Sequence, residues 1–419
     1  PAITSLYGFN LLDFHQYLHP TYITEYIPNG SLNKMMEKVR SLNSPIELTD
    51  TKKYIILLGI ALGMNYLHFD GITHNNLQPS TVLLDSNYYP KIIYFNQTKP
   101  KNIYSAFKSI EIVDDEEINV YSTDVRSFSL IVYEVVTNET PPIEFSKLPS
   151  QDLQNFLKKC VSEKQREVPS FDEILQQIAY ERFRRAFKYI DYLDVMNYLE
   201  MYKQSPESMK FVSYVIQYLM EASEKGDAEA IFSYGNLLDK SELVGINKEE
   251  ANHYLKMAAD KGHVNAMFAY GCHLINGDGV EKNDDEAVRY LKMAADKGHI
   301  ESMFRYACQV EKNKEFEEAS LYMKMAADRD HVSAMFTYAW MLEKGEGVRS
   351  DQREACKYYK ASADEGDVDG MFNYACKLEK GEGCAIDHEE ACRYFRMAAD
   401  KGDIDSMLRL GYKLDKGEG

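Results

Sequence analysis

Residues 72–96 gather the side chains best suited to chemistry. His74, Asn76, Gln78 and Thr81 precede the run Val82-Leu83-Leu84-Asp85, and Tyr94 and Asn96 follow. Asn76 is an uncharged amide that cannot accept a proton, a service typically worth about 10²- to 10⁴-fold in rate. Gln78 is neutral and offsets no negative charge. Thr81 offers a divalent cation only a short hydroxyl, a weak oxygen ligand. Tyr94 brings a phenol and no carboxylate.

The elements that must position this stretch are legible on either side. Ala2 to Phe9 and Pro20 to Tyr26 have strand composition and alternation. Asn29-Gly30 is a turn dipeptide that ends the second run. Residues 50–69 read as a helix capped by Thr49 or Asp50, with Tyr54, Leu57, Leu58, Ala61, Leu62 and Leu67 as its apolar stripe. A further helix begins near Tyr121 and continues through 130–136, with Thr140-Pro141-Pro142 expected to end it.

In this order the segments resemble the C-terminal lobe of a protein kinase. His74, Leu77, Pro79 and the run 82–85 match the frame of the catalytic loop, His-Arg-Asp-Leu-Lys-Pro-x-Asn. Thr24-Glu25-Tyr26-Ile27-Pro28-Asn29-Gly30-Ser31-Leu32 looks most like the hinge of the tyrosine-kinase-like branch. The resemblance makes Thr24 the gatekeeper and turns the backbone of Glu25 and Ile27 toward an adenine. It also makes Asp124, in Asp-Val-Arg-Ser-Phe, a clamp on the loop backbone. Against that frame the site positions His74, Asn76, Gln78, Thr81 and Tyr94 hold no intact catalytic set: His74 is kept and the other four are changed. Asn76 replaces the catalytic aspartate, Gln78 the lysine and Thr81 the metal-binding asparagine, while Tyr94 replaces the aspartate that grips magnesium. Phosphoryl transfer rests on positioning and charge neutralisation, so the resemblance implies a pseudokinase. Val168 stands where an arginine would pair with Glu111, which implies a remodelled activation segment.

With 419 residues, 45% of them apolar, the chain has room for two or more domains with their own cores. A net charge of −18 argues against nucleic acid as the main partner. No apolar run of about 18 residues predicts a membrane span, and no signal peptide is visible. The chain opens at Pro1 and closes at Gly419 inside a repeat, which reads as a piece of a longer protein. Seven cysteines without a Cys-x-x-Cys pair read as packed, reduced thiols of a cytoplasmic protein. Cys384, His388 and Cys392 can be drawn as metal ligands, but no second half-site accompanies them; no metal site is assigned.

Residues 183–219 read as linker helices, with Phe183, Phe187, Ile190, Leu193 and Val195 near helical spacing. From about 220 the sequence repeats itself. Met257-Ala258-Ala259-Asp260-Lys261-Gly262 returns with its last residue at 298, 330 and 402, and loosely at 226 and 366. Such a period signals stacked helix pairs. The helix before the glycine carries Ala-x-x-Tyr, as at Ala287 and Tyr290; the one after it carries Ala-Met-Phe-x-Tyr, as at Ala334 and Tyr338. Glycine can end a helix in the left-handed conformation, and Gly277-Asp278-Gly279 and Gly345-Glu346-Gly347 turn to the next pair. The recurring tyrosines and methionines are expected to pack the core. This array resembles Sel-one-like repeats, relatives of tetratricopeptide repeats, which implies an adaptor that grips protein partners.

The fold expected is therefore mostly α: a truncated kinase-like domain at 1–182, mainly helical with a few N-lobe strands, linker helices at 183–219, and an α-α solenoid at 220–419. The function expected is a catalytically impaired scaffold that binds protein through its repeats, without nucleic acid, membrane or cofactor. The opposed reading is an active Ser/Thr kinase using ATP and magnesium, whose repeats recruit substrates.

Overall fold

Helix α2 (Asp50–Phe69) is apolar on all sides, and the fold shows why. The computed structural model describes residues 6–10, 21–24, 26–41, 48–93, 121–180, 183, 185–201 and 205–415. Within them α2 buries residues well outside a single stripe, including Ile55, Ile56, Gly59, Ile60 and Met64. A helix apolar all round must be enclosed. Here α3 (Ser122–Thr137), α5 (Phe171–Ala179), a strand and two later helices all pack on α2. Thr49 is its cap, accepting from Lys52 N at 3.3 Å, which leaves Asp50 free for another role.

The chain divides into two compact units, residues 1–246 and 247–419. In the first, β1 (Leu6–Asn10) pairs antiparallel with β2 (Thr21–Thr24). A second ribbon joins β3 (Val82–Leu84) and β4 (Pro90–Ile92), with Val82 opposite Ile92 and Leu84 opposite Pro90. The turn at 29–31 extends this ribbon, because Asn29 N donates to Leu84 O and Leu84 N to Gly30 O. Helix α1 (Leu32–Arg40) follows, and its Arg40 reaches the buried Glu134 of α3 at 3.0 Å. Helix α3 stops at Thr137, before the prolines, with Asn138 left-handed as its cap. Helix α4 (Gln151–Cys160) packs on α3.

Residues 185–190 run through turns where the apolar spacing suggests a helix. The reason is local: Asp50 Oδ2 accepts from Lys188 N at 2.7 Å, and Thr51 Oγ1 accepts from Asp191 N at 2.9 Å. These side chains of α2 hold the segment along that helix. Phe183, Phe187 and Ile190 remain buried. Helix α6 (Tyr192–Glu200) follows, then the hairpin of α7 (Pro206–Glu224) and α8 (Ala228–Lys240). Helix α7 packs on α5 and α2, so this hairpin joins the compact unit of the kinase-like part.

The second unit is an array of thirteen- and twelve-residue helices: α9 (Lys248–Asp260), α10 (Val264–Asn276), α11 (Asp284–Asp296), α12 (Ile300–Lys312), α13 (Phe316–Ala327), α14 (Val332–Lys344), α15 (Gln352–Asp364), α16 (Val368–Lys380), α17 (His388–Asp400) and α18 (Ile404–Asp415). Each helix packs on the next, the nearest-neighbour stacking of a solenoid. Methionines 267, 303, 335 and 371, at the same place in successive units, are all buried. Asp330 replaces glycine at the left-handed position of one unit, with φ +63°.

The recurring tyrosines are core. Tyr270, Tyr290, Tyr306, Tyr338, Tyr374 and Tyr394 are all buried. Tyr290, Tyr322 and Tyr394 donate their hydroxyls to Asp260, Asp296 and Asp364, each at 2.5 Å. Between successive tyrosines lies a lysine the sequence reading passed over. Lys256 sits over Tyr270 and Tyr290, Lys292 over Tyr306 and Tyr322, and Lys324 over Tyr338 and Tyr358. Each also meets a glutamate, Lys256 with Glu286 at 2.6 Å and Lys324 with Glu354 at 3.3 Å. The signal was present as the lysine directly before Met257, Met293 and Met325 of the Met-Ala-Ala motif.

Candidate functional site

The loop at 72–81 hangs from one carboxylate. Asp124, in the first turn of α3, is 1% exposed. Its Oδ2 accepts from His74 N at 2.8 Å and its Oδ1 from Asn75 N at 2.8 Å. His68 Nε2, near the end of α2, lies 3.0 Å from Oδ2. Charge-assisted bonds of this kind are roughly twice as strong as neutral ones. They hold Asn75 in the left-handed region, at φ +58°.

A second clamp comes from the β4 side. His74 Nδ1 accepts from Asn76 N at 3.3 Å, so its proton is on Nε2, which donates to Ile93 O at 3.0 Å. Ile93 N donates in turn to Thr81 O at 2.9 Å. Burial lowers the His74 pKa below its usual value, against the raising effects of the Ile93 carbonyl and of Asp124. The imidazole is therefore a neutral spacer.

Asn76, Gln78 and Thr81 bond to one another. Gln78 Nε2 donates to Asn76 Oδ1 at 3.2 Å. Thr81 Oγ1 lies 3.2 Å from Asn76 O and 2.9 Å from Gln78 O, and it accepts from Gln78 N at 3.1 Å. Thr81 is buried, while Asn76 and Gln78 are half-buried. No carboxylate belongs to this set.

Of the other residues singled out, Thr24 closes β2 opposite Leu6, and Ile27 follows in the connection to α1. Glu25, Tyr94, Asn96 and Glu111 lie outside the described residues. Val168 is buried as a small apolar side chain. Cys392 is buried and Cys384 half-buried, while His388 opens α17. Among the described residues no group of three His, Cys, Asp or Glu is placed to hold a metal ion. No described helix is long and apolar enough to cross a membrane.

A helical lobe whose loop is pinned by a buried aspartate, followed by stacked helix pairs, defines a two-module protein. Residues 1–178 match the family model described as protein tyrosine and serine/threonine kinase, and residues 228–263, 264–299, 332–367 and 368–403 match that of the Sel1 repeat. The chain carries a protein kinase domain at its N-terminus with Sel1 repeats after it, and Sel1 repeats are protein-interaction modules. The matched repeats leave out 300–331, where α12 and α13 nonetheless pair like their neighbours.

Over 146 residues the chain is 30% identical to the inactive leucine-rich repeat receptor-like protein kinase CORYNE of Arabidopsis thaliana, covering 32% of this chain and 36% of that one. It is 28% identical over 190 residues to serine/threonine-protein kinase 12 of the same organism, covering 37% of this chain and 40% of the relative. The chain thus spans well under two thirds of the length of these relatives. Among solved structures it is similar to a protective antigen of uropathogenic Escherichia coli strains displaying an SLR fold, with TM-score 0.50 and 19% identity. That likeness covers 65% of this chain and 57% of the other, and it concerns the fold alone.

Proposed function

We propose that the protein is a catalytically impaired kinase-like lobe joined to a repeat adaptor, working as a regulatory scaffold that binds protein. The observation that carries this reading is the loop network: Gln78 Nε2 donates to Asn76 Oδ1, and the Thr81 hydroxyl is taken up by backbone groups of Asn76 and Gln78. A loop built to transfer phosphate needs a base, a cation and a metal ligand aimed outward. The word inactive in the name of the Arabidopsis relative agrees with it. No metal or nucleotide is needed for the scaffold role. Its compartment on this reading is the cytoplasm, supported by seven free thiols, of which Cys160 is pushed up to about 12 by burial and is therefore inert.

Thermal shift of the full-length protein with ATP, with and without magnesium, tests the reading. A ligand at 100 times its dissociation constant adds about 2.7 kcal/mol. No shift in either condition is the expected result.

The alternative is a weakly active Ser/Thr kinase whose repeats recruit substrates. It is favoured by the intact Asp124 clamp and by relatives named serine/threonine-protein kinases. A magnesium-dependent shift, or phosphate transfer gained by the triple variant Asn76→Asp, Thr81→Asn and Tyr94→Asp, separates the two. The shift would move this reading ahead; a gain only in the variant would identify the native residues as the block.

A further inference from the structure

Gly59 stands in the middle of α2, where glycine costs roughly 0.5–1 kcal/mol relative to alanine. Its place in the packing explains it: a Cβ at Gly59 would overlap both the Tyr198 hydroxyl and Pro90 Cγ. Helix α2, helix α6 and strand β4 meet at this point with no room for a methyl group. The contact is reinforced around it. The Tyr89 ring lies 4.8 Å from that of Tyr198, and Lys52 Nζ lies 4.9 Å from the centre of the Tyr89 ring. Tyr192, Val195, Met196, Tyr198 and Leu199 of α6 are all buried.

Each side of the contact leads somewhere. Pro90 begins β4, and two residues past it is Ile92, paired with Val82. The next residue, Ile93, holds His74 through its carbonyl and Thr81 through its amide. On the other side, α6 packs on both α7 and α8, the first hairpin of the repeat type. Among the described residues the route from the hairpin to the loop runs through packed contacts and backbone hydrogen bonds. Close-packed interiors transmit displacement where a flexible linker would absorb it.

We propose that α6 is a transmission element: through the contact of Tyr198 with Gly59 and Pro90, it ties the hairpin α7–α8 to the geometry of the loop at 72–81. A protein that engages the hairpin is then felt at the loop, and whatever occupies the loop is felt at the hairpin, since coupling free energy is reciprocal. The proposal holds whether or not the loop transfers phosphate.

Hydrogen–deuterium exchange by mass spectrometry on the full-length protein tests it. Gly59→Ala drives Tyr198 and Pro90 apart, and Tyr198→Ala empties the contact instead. Leu153→Ala, in α4, is a control that weakens the same unit from a different side. Both contact variants are expected to raise exchange over 72–81 by about tenfold, a loss of roughly 1.4 kcal/mol in local stability. The control is expected to lower the melting temperature and leave the loop unchanged. Freed exchange in α6 with an unchanged loop would overturn the proposal. So would a loop response to Leu153→Ala as large as that to the contact variants, which would mean general destabilisation.

Discussion

Gln78 donates its side-chain amide to Asn76 Oδ1 at 3.2 Å, so two neutral amides occupy the positions where the kinase frame sets a lysine and an aspartate. The pair needs no counterion and no metal to be satisfied. Thr81 completes it by accepting the Gln78 backbone N–H at its hydroxyl oxygen. Replacing Thr81 with valine keeps the shape and removes the hydroxyl. Leaving a buried donor unmade costs about 1–3 kcal/mol, and urea denaturation should show a loss of that size. Asn76→Asp, by contrast, keeps an acceptor for Gln78 and should leave stability nearly unchanged.

Asp124→Asn is the stronger test of the loop clamp. An amide nitrogen would have to face one of two backbone N–H donors that now share the carboxylate. The expected cost is about 3 kcal/mol, with exchange at His74 and Asn75 rising while the helices of the second unit keep their protection.

Acid should loosen the loop. Burial holds the His74 pKa below its ordinary value. The unfolded chain therefore takes up a proton first as pH falls. The stabilising contribution is fully present above about 6.5 and is lost as pH falls toward the folded value. The loss is at most about 1.4 kcal/mol per pH unit for one such group. Denaturation midpoints between pH 7.5 and 5 check this, and His74→Gln should flatten part of the slope. His299, also lowered by burial, caps α12 by accepting from Ser302 N at 3.2 Å and acts in the same direction in the second unit.

Two glycines of the array separate backbone strain from crowding. At Gly298, with φ +92° and open space around it, alanine meets only the conformational penalty of about 1–2 kcal/mol. At Gly347, with φ +68°, the same methyl would also overlap Phe316 O at the start of α13. Thermal melts by circular dichroism should show the second variant markedly less stable than the first.

The array was legible because its period is written in repeated short motifs, and each motif maps to a helix end or a buried face. The loop was legible through its frame, His74, Leu77 and Pro79. What it does internally was not, since the bonds of Thr81 depend on a 3₁₀ turn at Pro79–Thr81 that no spacing rule reveals. The course of residues 185–190 was hidden for a similar reason. Phe183, Phe187 and Ile190 have near-helical spacing, but Asp50 and Thr51, far away in sequence, take the backbone amides of Lys188 and Asp191. The enclosure of α2 on all sides was also missed, although its uninterrupted apolar composition was there to be read.

The short unit carries a practical lesson about where the chain tolerates change. Between α12 and α13 the Gly-x-Gly connection is gone, and Lys314 turns the corner with φ +66° while Glu315 N bonds back to Val310 O. The flanking helices, of thirteen and twelve residues, keep their stacking. Four residues of connection are thus dispensable to the architecture, which makes this edge of the array the natural place to graft an epitope or a fluorophore-bearing insert.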